Sequence, residues 1–269
     1  MMTPAPDPHE LLRSGELTVL GRIRSASNAT FLCQASIGGH AMHCVYKPVA
    51  GEQPLWDFPD GTLAGRELGA YLVSRRLGWN LVPDTVIRDG PAGEGMVQRW
   101  IDAPEETGAP ARDLVDVVPA ATVPDGYLPV LQARDYTGAR VILVHADHPR
   151  LFQMAVFDVL VNNADRKGGH VLCGADGAVY GVDHGLTLHT EDKLRTVLWG
   201  WAGKPVDDTV LTDIAALTEA LDGPLAAELA GHITGAEIAA LRRRAEDLLA
   251  EPVMPDPDDR FHPIPWPAF

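Results

Sequence analysis

Residues 157–185, FDVLVNNADRKGGHVLCGADGAVYGVDHG, constrain this chain more than any other stretch. Two short apolar runs, Val171-Leu172-Cys173 and Val179-Tyr180-Gly181-Val182, flank the turn Gly174-Ala175-Asp176-Gly177. That pattern predicts a β-hairpin. A polar loop over 162–170 enters the hairpin and Asp183-His184-Gly185 leaves it, so Asp165, His170 and Asp183 gather near one edge. Carboxylates beside apolar strands are costly to hold unless they bind something. A divalent cation carrying phosphates is the natural occupant.

The first hundred residues read as a small β-rich unit. Residues 1–9 form a Pro-rich leader, expected to be loosely held. Strands are predicted over 16–23, 30–37, 40–49, 81–88 and 96–101, with Gly38-Gly39 and 89–93 as turns. The loop over 21–29 is rich in small and hydroxyl residues. Its backbone N–H groups, with Ser25, Ser27 and Asn28, suit phosphate, although a plain solvated hairpin loop has the same composition. Alternation in the third strand puts Met42, Cys44 and Tyr46 on one face and His43, Val45 and Lys47 on the other. A helix is predicted over 62–77, closed by Gly78, with Ala64, Leu68, Tyr71 and Leu72 as its apolar stripe. Glu67 adjoins that stripe. It can reach Lys47 or pair with its surface neighbours Arg66 and Arg75.

Further on, residues 103–127 read as an irregular insertion. A second hairpin follows, with strands over 128–134 and 139–144, either a substrate-side flap or a structural arm. Asp147 is expected to cap a helix that runs to Val161 with Leu151, Met154, Ala155 and Val159 inward. A helix start is expected at 190–193, an aromatic core turn at 199–203, and helices over 207–221, 224–232 and 235–249. The Pro-rich tail, 251–269, is expected to dock through Phe261, Trp266 and Phe269.

The order N-x-D-R, a ligand five residues after the Asp, a short hairpin, then V-D-H-G resembles the catalytic core of the phosphatidylinositol 3- and 4-kinase-like group within the protein-kinase-like fold. It also resembles the HipA-type bacterial kinases. The chain as a whole is similar to a small actinobacterial family of phosphatidylinositol kinase-like proteins. The resemblance implies an α+β, two-lobed fold: an antiparallel-sheet N-lobe with one main helix over 1–102, and a mostly helical C-lobe with the catalytic hairpin over 103–269. It implies ATP as cofactor with Mg²⁺ or Mn²⁺. Asp165 would orient the acceptor hydroxyl, with Arg166 and Lys167 supplying positive charge. His170 and Asp183 would ligate metal, and Lys47, oriented by Glu67, would contact the phosphates. Residues 97–100, including Gln98 and Trp100, would form the hinge that binds adenine, with Met96 behind it. The family usually has Asn where this chain has His170. Imidazole binds Mn²⁺ or Zn²⁺ but suits Mg²⁺ poorly.

Charge and composition narrow the partners. With 22 basic against 37 acidic residues the net charge is −15, which disfavours nucleic acid and broad contact with an anionic membrane. No signal peptide or membrane span is evident, and Cys33, Cys44 and Cys173 read as reduced core thiols of a cytoplasmic protein. The acceptor and the oligomeric state have no sequence signal. The expected activity is ATP-dependent phosphoryl transfer. Three alternatives stand beside it: a nucleotide-binding pseudokinase, an AMP-transferring enzyme on the same scaffold, and a hydrolase-type metal cluster of Asp165, His170, Asp183 and His184.

Overall fold

Five strands, two pairs of them joined by tight turns, build an antiparallel sheet. Its members are β1 (Glu16–Arg22), β2 (Phe31–Ile37), β3 (His40–Pro48), β4 (Thr85–Gly90) and β5 (Gly93–Arg99), in the order β1-β2-β3-β5-β4. The structure is a computed structural model that describes residues 6–24, 26, 28–104, 113–257 and 262–269. Gly38 and Gly39 turn β2 into β3 with φ of 56° and 86°, the left-handed region that a side chain resists. One sheet face buries Cys33, Ala35, Cys44, Tyr46, Val86 and Val97.

That face is closed by a helix the sequence did not announce. Helix α1 (Pro8–Ser14) drives Leu12 into the sheet core, so the chain is already anchored at Pro8, within the expected loose leader. Asp7 caps it, and Arg88 Nη1 closes its other end on the carbonyls of Leu12 and Gly15 at 3.1 and 2.7 Å.

Helix α2 (Leu63–Arg76) lies against the other side of the molecule. Thr62 and Glu52 satisfy its first N–H groups: Glu52 accepts from Leu63 and Ala64, and Thr62 accepts from Gly65. Its burial is not the narrow stripe expected. Leu68 is only partly covered, while Arg66, Glu67 and Ser74 are buried. The helix is wedged between the sheet and the C-terminal helices, so it has two inner faces. Strand β4 also starts later than expected, because Leu81 and Val82 give their N–H groups to Ser74 Oγ and pack into the main core.

The second half is mostly helical. Helices α3 (Pro149–Val161), α4 (Asp208–Ala220), α5 (Pro224–Leu229) and α6 (Gly235–Ala250) surround a core of Leu151, Met154, Leu160, Ile214, Leu217 and Leu241. Each such side chain contributes about 1.5–3 kcal/mol through burial. The N-cap of α3 is His148, whose ring accepts from Arg150 N at 3.1 Å; Asp147, the expected cap, is taken by Trp201 Nε1 at 3.2 Å. The expected insertion supplies β6 (Val115–Pro119), which joins β7 (Tyr127–Arg134) and β8 (Arg140–Ala146) in a three-stranded sheet ordered β6-β8-β7. Trp199 and Trp201 are core residues, as expected.

No helix starts at 190–193. There the backbone is held by Asn162, whose side chain bonds the carbonyls of His189 and Glu191 and the N–H of Lys193. Those bonds take backbone groups that a helix would have used. The tail docks through Pro263, Ile264 and the Ala268–Phe269 end, whereas Trp266 is 94% exposed; Phe261 lies outside the described residues. Cys33 and Cys44 are buried in the sheet, but Cys173 is exposed rather than a core thiol. Among the described residues no helix is long and apolar enough to cross a membrane. The arrangement is the α+β order expected of a protein-kinase-like fold: an antiparallel sheet first, a helical part second, and the hairpin between helices.

Candidate active site

The hairpin forms as expected, with β9 (Val171–Cys173) paired to β10 (Val179–Gly181). At its exit Asp183 takes a φ of 61°, in the left-handed region where an Asp pays some backbone strain. This conformation turns its side chain, 52% exposed, towards β3. There Lys47 Nζ stands 2.7 Å from Asp183 Oδ1 and 2.6 Å from Glu67 Oε1. Glu67 Oε2 accepts the His184 N–H at 2.9 Å, so one buried carboxylate joins the sheet, helix α2 and the hairpin. The alternative partners of Glu67 are engaged elsewhere: Arg66 with Glu237 and Arg75 with Glu228.

The charges in this cluster depend on one another. Burial alone would lower the Lys47 amine, but Glu67 and Asp183 push it above its ordinary value. The Lys47 charge, against burial, holds Asp183 well below the usual carboxylate range. Burial raises Glu67 while Lys47 opposes it. With an ammonium on one oxygen and an N–H on the other, the ionised pair is the state that satisfies both partners.

Asp165 lies in the loop that enters the hairpin. Its own N–H donates to Asn163 Oδ1 at 3.0 Å, and Lys167 Nζ is 3.1 Å from its Oδ2. Burial raises its carboxyl while the Lys167 charge opposes the rise, a setting that suits a proton acceptor. His170 Nε2 faces Asp183 Oδ2 at 3.6 Å. The Lys167 N–H points at His170 Nδ1 at 3.5 Å, which favours the tautomer with its proton on Nε2. Metal ligation by Nε2 requires the other tautomer. Asp183 Oδ2 suits a hard cation as it stands. Among the described residues no group of three or more His, Cys, Asp or Glu forms a metal cluster, so any ion here would take most of its ligands from phosphate and water.

Arg166 does not face the cleft as expected. It is wholly buried, with Nε and Nη2 on Asp158 at 2.9–3.2 Å and Nη1 on the Val182 carbonyl at 3.2 Å. Its Nη2 also meets His184 Nε2 at 2.7 Å. A guanidinium only donates, so His184 Nε2 accepts and the ring proton sits on Nδ1. Arg166 therefore ties the loop that enters the hairpin, the hairpin exit and α3 together from beneath. Asp158, Asn163 and Thr196, which the sequence did not single out, complete this buried network with His184, whose ring is engaged by Arg166 and not in a metal cluster. The signal for Asp158 was there: one carboxylate inside the apolar run MAVFDVLV of α3 needs a buried cation.

The remaining candidates are spread around the sheet. Met96 is fully buried and is the register partner of Lys47, on the same sheet face. Gln98, also buried, donates to Thr85 Oγ1 at 2.9 Å. The Trp100 N–H is taken by the His43 carbonyl at 3.0 Å, which leaves that N–H no role towards adenine. Asn28 Oδ1 accepts from the Gln53 N–H at 3.0 Å, pinning the β1–β2 loop to the segment before α2. Ser25 and Ser27 lie outside the described residues.

Burial pulls the His170 imidazole down to about 4 and also lowers His145 and His184. Unfolded, these rings bind protons near the ordinary value of about 6.5. Their contribution to stability is thus whole above about pH 6.5 and is lost as pH falls towards about 4, where folded His170 also protonates. Thermal melts should give a lower Tm at about pH 5 than at about pH 7.5. An unchanged or higher Tm at the acid end would contradict the burial of three neutral imidazoles.

No protein-family model matches the chain. Among solved structures, a Golgi casein kinase is similar at 13% identity, covering 93% of this chain and 78% of that one with a TM-score of 0.48. The Helicobacter pylori proinflammatory kinase CtkA is similar at 10% identity, covering 90% and 94% with a TM-score of 0.42. At these values neither likeness assigns an activity. Protein Rv2133c of Mycobacterium tuberculosis is 67% identical over 272 residues, which span 100% of this chain and 98% of that protein. By that identity and coverage, the chain belongs to the family of Protein Rv2133c.

Proposed function

We propose that the protein is an ATP-dependent phosphotransferase of the phosphatidylinositol 3/4-kinase-like or HipA-like type, acting with Mg²⁺ or Mn²⁺ on an acceptor hydroxyl. The observation that carries this reading is the Lys47 ammonium, held between Glu67 on α2 and Asp183 at the hairpin exit, at 2.6 and 2.7 Å. A lysine so fixed, and kept charged, suits phosphate oxygens. Lys47 would exchange its Asp183 contact for the phosphates and keep Glu67. A divalent ion on Asp183, with His170 in its Nδ1–H tautomer, would neutralise charge on the β- and γ-phosphates. Asp165 would accept the proton of the acceptor hydroxyl, and Lys167 would leave Asp165 to meet the transferred group. Such a site works through position and fixed charge, which is what the buried Arg166–Asp158 pair secures from below.

One observation favours a second reading. His170 Nε2 faces Asp183 Oδ2 rather than standing as a free lone pair, as in a pseudokinase that binds nucleotide with weakened metal affinity.

A thermal-shift titration with ATP, with Mg²⁺ and separately with Mn²⁺, tests the proposal on wild type and Asp183→Asn. At ATP about 100-fold above its Kd, wild type should gain about 2.7 kcal/mol of stability. The gain should need a divalent ion and should be lost in Asp183→Asn. No response to ATP with either metal sinks the reading. Binding without turnover, once acceptors have been screened, selects the pseudokinase.

A further inference from the structure

The segment after the hairpin returns alongside the catalytic loop. Arg166 N donates to the Arg195 carbonyl at 3.0 Å and Val197 N to the Arg166 carbonyl at 3.1 Å, pairing Arg166 with Thr196 in a parallel bridge. Both of these side chains go inward to the same carboxylate. Arg166 Nη2 reaches Asp158 Oδ1 at 2.9 Å, and Thr196 Oγ1 reaches Asp158 Oδ2 at 3.2 Å. Side chains alternate along extended backbone, so the residues just before them, Asp165 and Arg195, share the opposite face. That face is the one on which Lys167 meets Asp165.

Arg195 is half-buried there, and among the described residues its guanidinium has no hydrogen bond or ion pair. Burial raises the Asp165 carboxyl, and the Arg195 charge reaches it and, like that of Lys167, opposes the rise. In a chain with 37 acidic and 22 basic residues, a cation beside Asp165 with no bonded acidic partner among the described residues points to a partner from outside. The Phe269 ring, packed on Gly168, and the Ala268 carbonyl, which accepts from Gly168 N at 2.8 Å, border the same loop.

We infer that Arg195 is a specificity-determining residue that binds an anionic group, a carboxylate or a phosphate, on the acceptor beside the hydroxyl engaged by Asp165. The inference rests on the phosphotransferase reading. A guanidinium fork matches both anions bidentately, and Lys167 adds a second positive charge on the same face. The net charge of −15 favours a soluble anion over a lipid headgroup as the source.

Phenylglyoxal labelling of the full chain, quantified at Arg195 by peptide mass spectrometry, tests this with a non-hydrolysable ATP analogue and Mn²⁺ present. The probes are glycerate and glycerol 3-phosphate, with glycerol as the neutral match, sodium chloride at equal ionic strength, and phosphatidylglycerol vesicles as the lipid arm. Arg195 should label readily alone. For a Kd of about 1 mM, either soluble anion at about 10 mM should cut labelling about tenfold. Glycerol and chloride should leave it unchanged. Protection by vesicles alone supports the anion site and assigns it to a headgroup. No labelling without anion, equal labelling under all conditions, or equal protection by chloride overturns the inference. A thermal shift with the nucleotide, run in parallel, reports on the phosphotransferase reading separately. Protection without a nucleotide response keeps the anion site and sinks the ATP reading.

Discussion

Asp165→Asn is expected to lower ATP-dependent phosphoryl transfer by about 10²–10⁴-fold, the usual range for losing a positioned proton acceptor. The substitution keeps the shape of the side chain, and its amide oxygen can still meet Lys167 Nζ, now 3.1 Å from Asp165 Oδ2. It removes the negative charge that would take the hydroxyl proton. The thermal response to ATP and metal should survive, since Lys47, Glu67 and Asp183 do not bond to Asp165. Single-turnover measurement of ATP consumption, compared with wild type, checks this. Turnover within a few-fold of wild type would remove Asp165 from the chemistry. Loss of the ATP-induced shift as well would mean that Asp165 holds the fold of the cleft rather than the proton.

Asp158→Ala is expected to cost about 3–5 kcal/mol of folding stability, the range for stripping one partner from a buried ion pair. Both partners are wholly buried, and Asp158 accepts from Arg166, Asn163 and Thr196. Without it the Arg166 guanidinium stays in the interior with only carbonyls and His184 around it. Chemical denaturation reads the loss as a fall in the transition midpoint at unchanged slope. The double variant Asp158→Ala with Arg166→Met should recover part of that loss, because it removes the orphaned charge. A single variant as stable as wild type would show that the network is not held by its ion pair. Activity should fall with Asp158→Ala as well, since Arg166 also fixes the Val182 carbonyl just before Asp183.

Arg166 shows how far residue type leads and where it stops. Its place next to Asp165 suggested a phosphate-facing cation, but adjacent residues on extended backbone point to opposite sides. Asp165 takes the cleft side, so Arg166 goes inward, where Asp158 waits. Glu67 is the converse case. The sequence left it between Lys47 and two arginines, and the structure settles the matter because Glu237 and Glu228 engage those arginines. Neither acid is near in sequence.

Periodicity and turn chemistry in the sequence determined the local elements: the β9–β10 hairpin, the alternating strand that carries Lys47, and the capped helix that carries Glu67. These are set by contacts a few residues apart, which is why they are legible. Tertiary structure alone decided the rest. It made α1 a helix because Leu12 has a sheet to cover, and made β6 a strand because β8 offers an edge. It kept 190–193 from becoming a helix because Asn162 holds that backbone, and it set Arg195 beside Asp165 through pairing across 30 residues of chain. Long-range hydrogen bonds and buried charge pairs are chosen by which segments meet in space, and spacing along the chain does not encode that choice.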